Sequence, residues 1–295
     1  MKVKGLGAGC FVSASLFFAT GTCSSPTKPT APQPSGPPAL ANAWSDEFDG
    51  PLDSKPDPAK WTYDTGAGGW GNQELQTYTT LAANAHLDGQ GHLVLHVEST
   101  PSGFTSARLK TKGLFAAGFG SIEARLKLPF GQGIWPAFWM LGTSIDSVNW
   151  PQCGEIDIME NIGREPGTVH GTVHGPGYSG SNGISARFVL PNDLRFSVDF
   201  HTFKIQWAPQ TISFYVDNIA YQTITPSALP SGAPWVFDSP FFVLLNVAVG
   251  GNFPGPPDRT TQFPQEMLVD YVRYLPLANT RVGATKVGRN AEAPR

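Results

Sequence analysis

The chain has 295 residues and a formal net charge of −3, so no electrostatic case exists for a nucleic-acid partner, which would need a concentrated basic face. A domain of this length buries roughly 70% or more of its unfolded surface and needs no disulfides or metals to fold. Only 15% of residues are charged, 12% are aromatic, and there are 33 glycines and 27 prolines; ordinary domains carry roughly 25% charged residues and roughly 12% Gly plus Pro. Few charges and many turns predict an all-β protein. Its 8 tryptophans either fill the core or offer flat apolar surfaces of the kind sugar rings stack on.

At the N-terminus Lys2 and Lys4 precede an apolar run from Leu6 to Ala19 and the small residues Thr20, Gly21 and Thr22. This is the pattern of an export signal over residues 1–22, shorter and more interrupted than the roughly 20 apolar residues of a spanning helix. The expected location is therefore secreted and extracellular. Cys23 stands where a lipid-modified cysteine would follow cleavage, although the usual leucine ahead of it is absent; anchoring as a lipoprotein through Cys23 is the alternative to simple secretion. Residues 23–41 are rich in Pro, Thr and Ser and read as an extended linker. From 42 to 276 the composition is globular throughout, with no second linker and no internal repeat. Residues 277–295, with Arg281, Lys286, Arg289 and Arg295, are expected to form a loose tail. Cys10 leaves with the signal, so Cys153 is the only cysteine in the body of the chain and is expected to be a buried free thiol.

The globular part reads as strands. Leu93, Leu95 and Val97 alternate with His92, His96 and Glu98; Ile122, Ala124, Leu126 and Leu128 alternate with Glu123, Arg125 and Lys127; Ile212, Phe214 and Val216 alternate with Ser213, Tyr215 and Asp217. Period two over short runs predicts half-buried strands. Asp217-Asn218 then lies between two strand-like runs, as in a tight hairpin. Phe241 to Val249 is nearly all apolar and suits a strand covered on both faces. No stretch keeps a helical period over three turns. Many short antiparallel strands predict a two-sheet antiparallel β-sandwich.

The most informative segment is Gly154-Glu155-Ile156-Asp157-Ile158-Met159-Glu160-Asn161. Strict alternation would place acids on one face up to Asp157 and then bury Glu160 in the core, which is costly. One extra residue at Ile158-Met159, a β-bulge, restores the phase, so that Glu155, Asp157 and Glu160 share a face. Three carboxylates on one face repel and raise one another's pKa values, which stability alone would avoid. Paired carboxyls of unequal proton affinity are what glycoside cleavage requires. Two long side chains on a bent strand can bring the carboxyls to about 5–6 Å, the separation of retaining enzymes, whereas roughly 6.5–9.5 Å would make an inverting one; the sequence alone leaves the separation open. A calcium site is the competing explanation, but calcium favours flexible loops and this stretch is rigid and rich in isoleucine.

Here the sequence resembles the laminarinase-like family 16 glycoside hydrolases. The carrying motif is Glu155-Ile-Asp157-Ile-Met-Glu160, whose extra residue separates the laminarinase type from the lichenase type. The resemblance extends from Ala43 to Pro276 through Trp44-Ser-Asp-Glu-Phe-Asp, Gly71-Asn-Gln-Glu-Leu-Gln, Thr105-Ser-Ala-Arg108, Gly133-Ile-Trp-Pro-Ala-Phe-Trp-Met-Leu, Thr168 to Gly175 and Leu244-Leu-Asn-Val-Ala-Val-Gly-Gly. It implies a jelly-roll sandwich with a substrate cleft across one concave sheet. It further implies retaining endo-hydrolysis of β-1,3-glucan, with Glu155 as nucleophile, Glu160 as acid/base and Asp157 assisting. Trp135 and Trp139 would line the cleft, and Asn72 and Arg108 would bind sugar hydroxyls. Catalysis would need no cofactor. A structural calcium is implied away from the cleft, at Glu47, Gly91 and Asp270. The expected partner is a β-glucan polysaccharide met by a monomer.

Several of these residues have a second reading. Trp135 and Trp139 point to one face and could be core, but Gly133 and Pro136 are expected to interrupt their strand, as near a cleft. His170, Thr172 and His174 share a face opposite Val169 and Val173, which places His174 in the cleft near Glu160 or makes it a satisfied structural histidine. Arg108 binds substrate or balances an acid. Asn246, the lone polar residue of its strand, must find partners in sugar or backbone. Phe253 stands where relatives often carry tryptophan, so its subsite is expected to be weaker. Within enzymes the alternatives are mixed-linkage β-1,3-1,4-glucan, agarose or carrageenan as substrate, or transglycosylation. Outside them, a glucan-binding protein on the same fold would typically lack the glutamates present here.

Overall fold

A computed structural model of the protein describes residues 43–277. The expected signal at 1–22, the linker at 23–41 with Cys23, and the tail beyond Leu277 lie outside the described residues.

In chain order the strands are β1 (Trp44–Asp46), β2 (Thr62–Asp64), β3 (Gln76–Tyr78), β4 (Ala85–Leu87), β5 (Leu93–Thr100), β6 (Gly103–Ser106), β7 (Arg108–Lys110), β8 (Gly120–Lys127), β9 (Ile134–Gly142), β10 (Glu155–Glu160), β11 (Thr168–His174), β12 (Ile184–Val189), β13 (His201–Ala208), β14 (Thr211–Val216), β15 (Ile219–Ile224), β16 (Phe241–Val249) and β17 (Gln265–Pro276). Among the described residues the one α-helix is a single turn, α1 (Ile145–Val148). A ten-stranded sheet runs β15, β14, β13, β8, β17, β5, β6, β3, with β1 added against β17 and β4 against β5; a seven-stranded sheet runs β12, β11, β10, β9, β16, β7, β2. Pairing is antiparallel except between β3 and β6, so the antiparallel expectation holds with one parallel pair. The tight hairpin is as expected: Val216 faces Ile219, and Asp217 and Asn218 both take positive φ, the backbone of a two-residue turn whose twist matches its strands.

The two sheets face one another across a single apolar layer. Ile122, Ala124, Leu126, Phe203, Ile205 and Phe214 from the larger sheet meet Phe138, Met140, Ile156, Val243, Leu245 and Val247 from the smaller. The alternation read in the sequence is thus the alternation between core and outer face. Strand β16 is buried along its whole length, because it is the inner neighbour of β9 and β7 and its other face lies beneath further side chains.

Strand β9 corrects one expectation. Pro136 does not interrupt it: the strand continues from Ile134 to Gly142, with Pro136 opposite Val247. Proline is tolerated because its nitrogen points the same way as its carbonyl, which accepts from Asn161 N just past the end of β10. The missing N–H therefore falls where that ladder is ending. At the other end of β9, Gly142 approaches the turn into β10 so closely that a Cβ there would sit 1.9 Å from the Cys153 carbonyl oxygen.

The bulge lies where expected. On the β9 side Asp157 faces Trp139 and Met159 faces Phe138, leaving Ile158 without a partner. On the β11 side the register jumps from Asp157–Thr172 to Glu160–His170. Ile156, Ile158 and Met159 are fully buried while Glu155 and Glu160 remain partly exposed. Deleting Ile158 should therefore turn Glu160 toward the core and abolish either folding or activity, whereas Ile158→Val, which keeps the count, should cost only about 0.5–1.5 kcal/mol. Denaturant unfolding alongside a sugar-release assay separates the two; an active deletion variant would contradict the phasing role. Gly142→Ala should destabilise by about 1–3 kcal/mol through overpacking, read by the same unfolding measurement.

Candidate active site

The outward face of the seven-stranded sheet carries a cleft of about 840 Å³. Its walls run from Arg108 on β7, through Asn246 on β16, Trp135 and Trp139 on β9 and the three acids of β10, to His170, Thr172 and His174 on β11 and Ser185 on β12. Asn72 joins from the loop before β3. Every residue expected to be catalytic or substrate-binding thus lines one groove. Core packing does not explain the two tryptophans: they alternate with buried Phe138 and Met140 and point to the opposite side.

The carboxylates sit in a strongly charged corner. Burial is the first cause that pushes Asp157 and Glu160 each to about 8, and Asp157 adds to the rise at Glu160. Glu155 is also held well above the usual carboxylate range, first by burial and then by Asp157, with His174 and Arg108 pulling the other way. Only 5% of the Asp157 side chain is exposed. Two such neighbouring acids cannot both ionise cheaply, so a proton shared between Glu155 and Asp157 belongs to the pair. On the other flank Trp135 Nε1 donates to Glu160 Oε1 at 3.0 Å, fixing the direction in which that carboxyl points.

His174 lies in the cleft but not beside Glu160. It is the register partner of Glu155, and its Nε2 stands 3.2 Å from Asp157 Oδ2 and 3.9 Å from Glu155 Oε1. The antiparallel run of β11 explains this, since its C-terminal residue meets the first residue of β10. The histidine across from Glu160 is His170, edge-on to Phe253 at 5.2 Å. Burial lowers the basicity of His170.

A second network holds the remaining wall. The Arg108 guanidinium lies between the rings of Trp70 and Trp139, 4.9 and 4.6 Å from their centroids, and its Nε is 3.1 Å from Asp64 Oδ2. Lys110 pairs with the same aspartate. Arg108 therefore balances an acid and faces the cleft at once. Trp139 Nε1 donates to Asn246 Oδ1 at 2.7 Å, Asn246 Nδ2 donates to Tyr78 Oη at 3.1 Å, and Tyr78 donates to Glu74 Oε2 at 3.3 Å. The protein partners of Asn246 are thus side chains rather than backbone. Asn72 Nδ2 reaches the other oxygen of Glu74 at 3.3 Å.

The sequence reading missed Trp70, Glu74, Trp150 and Gly183, all of which line the groove. Trp70 carried the only signal, a bulky ring set among Gly68, Gly69 and Gly71, where a loop rather than a strand must present it. Gly183 is needed for proximity: a Cβ there would meet the His174 ring at 2.4 Å. At the implied calcium locus of Glu47, Gly91 and Asp270 both acidic side chains have protein partners. Glu47 is held by Arg273 through contacts of 2.6 and 3.0 Å, and Asp270 by Arg125 at 2.5 Å. A site built from backbone carbonyls and one carboxylate would therefore draw on a carboxylate already paired with a guanidinium group.

Comparison with known proteins agrees with this geometry. The family model described as glycosyl hydrolases family 16 matches residues 73–273. A beta-glucanase from Rhodothermus marinus is 41% identical over 242 residues, covering 78% of this chain and 83% of the relative. The laminarinase catalytic domain of Thermotoga maritima superposes with a TM-score of 0.75 at 47% identity, over 80% of this chain and 98% of that one. An endo-beta-1,3-glucanase from Pyrococcus furiosus gives 0.73 at 47% identity, over 79% and 94%. A two-sheet sandwich, an acid-lined groove and a match across most of the domain lead to one assignment: the chain belongs to glycosyl hydrolase family 16 and is a glycoside hydrolase.

Proposed function

We propose that the protein is an exported, retaining endo-hydrolase of β-1,3-glucan of the laminarin type. The observation that carries this reading is the bulge in β10, which turns Glu155 and Glu160 into the same groove. The substrate class rests on similarity to proteins described as laminarinase and endo-beta-1,3-glucanase at 47% identity. Endo action is supported by a groove whose walls cross the sheet from β7 to β12, so that sugar can extend to both sides of the acids. Export rests on the Lys2 and Lys4 leader and the apolar run behind it.

In this mechanism a Glu155 oxygen attacks the anomeric carbon while Glu160 gives its proton to the departing glycosidic oxygen, so one C–O bond forms as the other breaks. Glu160, now anionic, then takes a proton from water as that water attacks the same carbon and frees Glu155. Asp157 holds the pair's proton during the first step and leaves the negative charge on Glu155. Trp139 supplies a flat surface for a ring, fixed by Asn246 and by the stacked Arg108.

Glu155→Gln should reduce reducing-sugar release from laminarin to background, and Glu160→Gln should reduce it by about 10²–10⁴-fold, the contribution of a general acid. Lichenan and agarose assayed in parallel test the substrate; preference for either over laminarin would overturn that part. Proton NMR of the first-formed product should display the β-anomer, and an α-anomer would exclude retention.

Activity should fall as pH rises through about 8, where Glu160 gives up its proton. Stability follows the same groups. A carboxyl whose pKa is raised on folding binds protons more tightly in the native state, so its stabilising contribution is complete below the unfolded value and is lost as pH rises toward about 8. Asp157→Asn should therefore raise the melting temperature at pH above neutrality and have little effect in acid, at roughly 2–4 °C per kcal/mol for a domain of this size. A melting-temperature gain that is equal at all pH values would contradict the electrostatic account.

A further inference from the structure

We infer that Glu155, Asp157 and His174 form a zinc-binding site inside the cleft, at which the free ion reversibly blocks the enzyme by occupying the nucleophile. One carboxylate oxygen from each acid and one ring nitrogen of His174 lie within 4.8 Å of one another, with His174 Nε2 at 3.2 Å from Asp157 and 3.9 Å from Glu155. A tetrahedral zinc ion with bonds of about 2.0–2.1 Å sets its ligands roughly 3.3 Å apart, so the donors already surround that spacing.

The second observation is independent of this clustering. Asp157 is only 4% exposed, yet its Oδ2 accepts no well-aligned hydrogen bond, although His174 Nε2 stands 3.2 Å away. A buried acceptor left unmatched is unusual, and this one belongs to a side chain lining the groove. A cation placed between Asp157 and His174 would satisfy it.

Ligand chemistry selects the metal. Two carboxylates neutralise a dication, and the imidazole favours zinc over calcium or magnesium. Three protein ligands with the groove beyond leave a fourth position for water, the arrangement of an accessible rather than a closed zinc site. The other histidine–carboxylate pairs among the described residues, such as His92–Asp88 and His201–Asp217, offer two donors each. Cys153 is buried and its thiol is pushed up to about 11, mainly by burial, so it is not a competing thiolate.

Binding does not depend on which glucan is the substrate; the blocking effect rests on Glu155 being the nucleophile. The test uses the full chain freed of metal, titrated with Zn²⁺ by calorimetry and with Co²⁺ as a coloured substitute. One site with the visible bands of a four-coordinate ion is expected, competing with laminarin oligosaccharide. It should weaken at least roughly tenfold in His174→Gln, since even loss of a residue that only supports a ligand costs that much, and should be unchanged in His92→Gln. Circular dichroism verifies that each variant is folded, and competition in the wild-type protein gives a readout that needs no variant. Affinity unaffected by His174→Gln, or zinc and oligosaccharide binding together, would overturn the proposal. If zinc fails to bind while laminarin is cleaved, this site is wrong and the hydrolase reading stands; if zinc binds competitively and laminarin is untouched, the reverse holds.

Discussion

Residues five apart in a regular strand fall on opposite faces of a sheet, because side chains alternate with period two. Glu155 and Glu160 share a face only because Ile158 has no partner on β9. That unpaired residue also lets Ile156, Ile158 and Met159 all remain in the apolar layer, so the core loses nothing by the irregularity. Everything chemical follows from this count: the acid that would have been buried in the sandwich instead meets Trp135 on the groove side.

The arrangement sets stability against function. Three acids are gathered where burial opposes their ionisation, and the neighbouring charges do only part of the work of relieving them: His174 and Arg108 favour the ionised form of Glu155 but do not outweigh burial. Elsewhere the fold is ordinary in its energetics, with alternating apolar positions meeting across one layer and buried polar groups satisfied by backbone, as where Ser106 Oγ donates to the Val247 carbonyl and Trp207 Nε1 to the Phe237 carbonyl. Buried polar atoms without a partner gather at the site, on Asp157, His170 and His174, as expected where local rules give way to chemistry.

The sandwich was legible because its strands obey the two-residue period; β8 and β14 were readable from alternation alone. The bulge was legible because the alternative was a glutamate in the core, an error large enough to rule out. Spacing along a strand also translated well for Trp135 and Trp139, four apart and both on the groove side, whereas Arg108 came from the resemblance and Asn246 from being the lone polar residue of its strand. What failed depended on relations between strands. His174 was placed near Glu160, and only the antiparallel register with β10 reveals that it faces Glu155. Pro136 was read as a break because the sequence does not tell that the neighbouring ladder ends beside it. Trp70 and Gly183 come from irregular segments, where no period exists to say which way a side chain points. The pairing of Glu47 and Asp270 with arginines more than a hundred residues distant in one case and two hundred in the other is likewise a product of the closed sheet, invisible in a linear reading.

Cys153 sits in the turn that feeds β10, buried and, among the described residues, without a disulfide partner. An apolar layer drawn from both sheets, rather than covalent cross-links, therefore holds the sandwich together. A polysaccharide-degrading domain of this kind can reach its native form in a reducing compartment as readily as in an oxidising one, and reductants should be harmless to the finished molecule. Its durability would then be set by how slowly the two sheets separate, not by the redox chemistry of its surroundings.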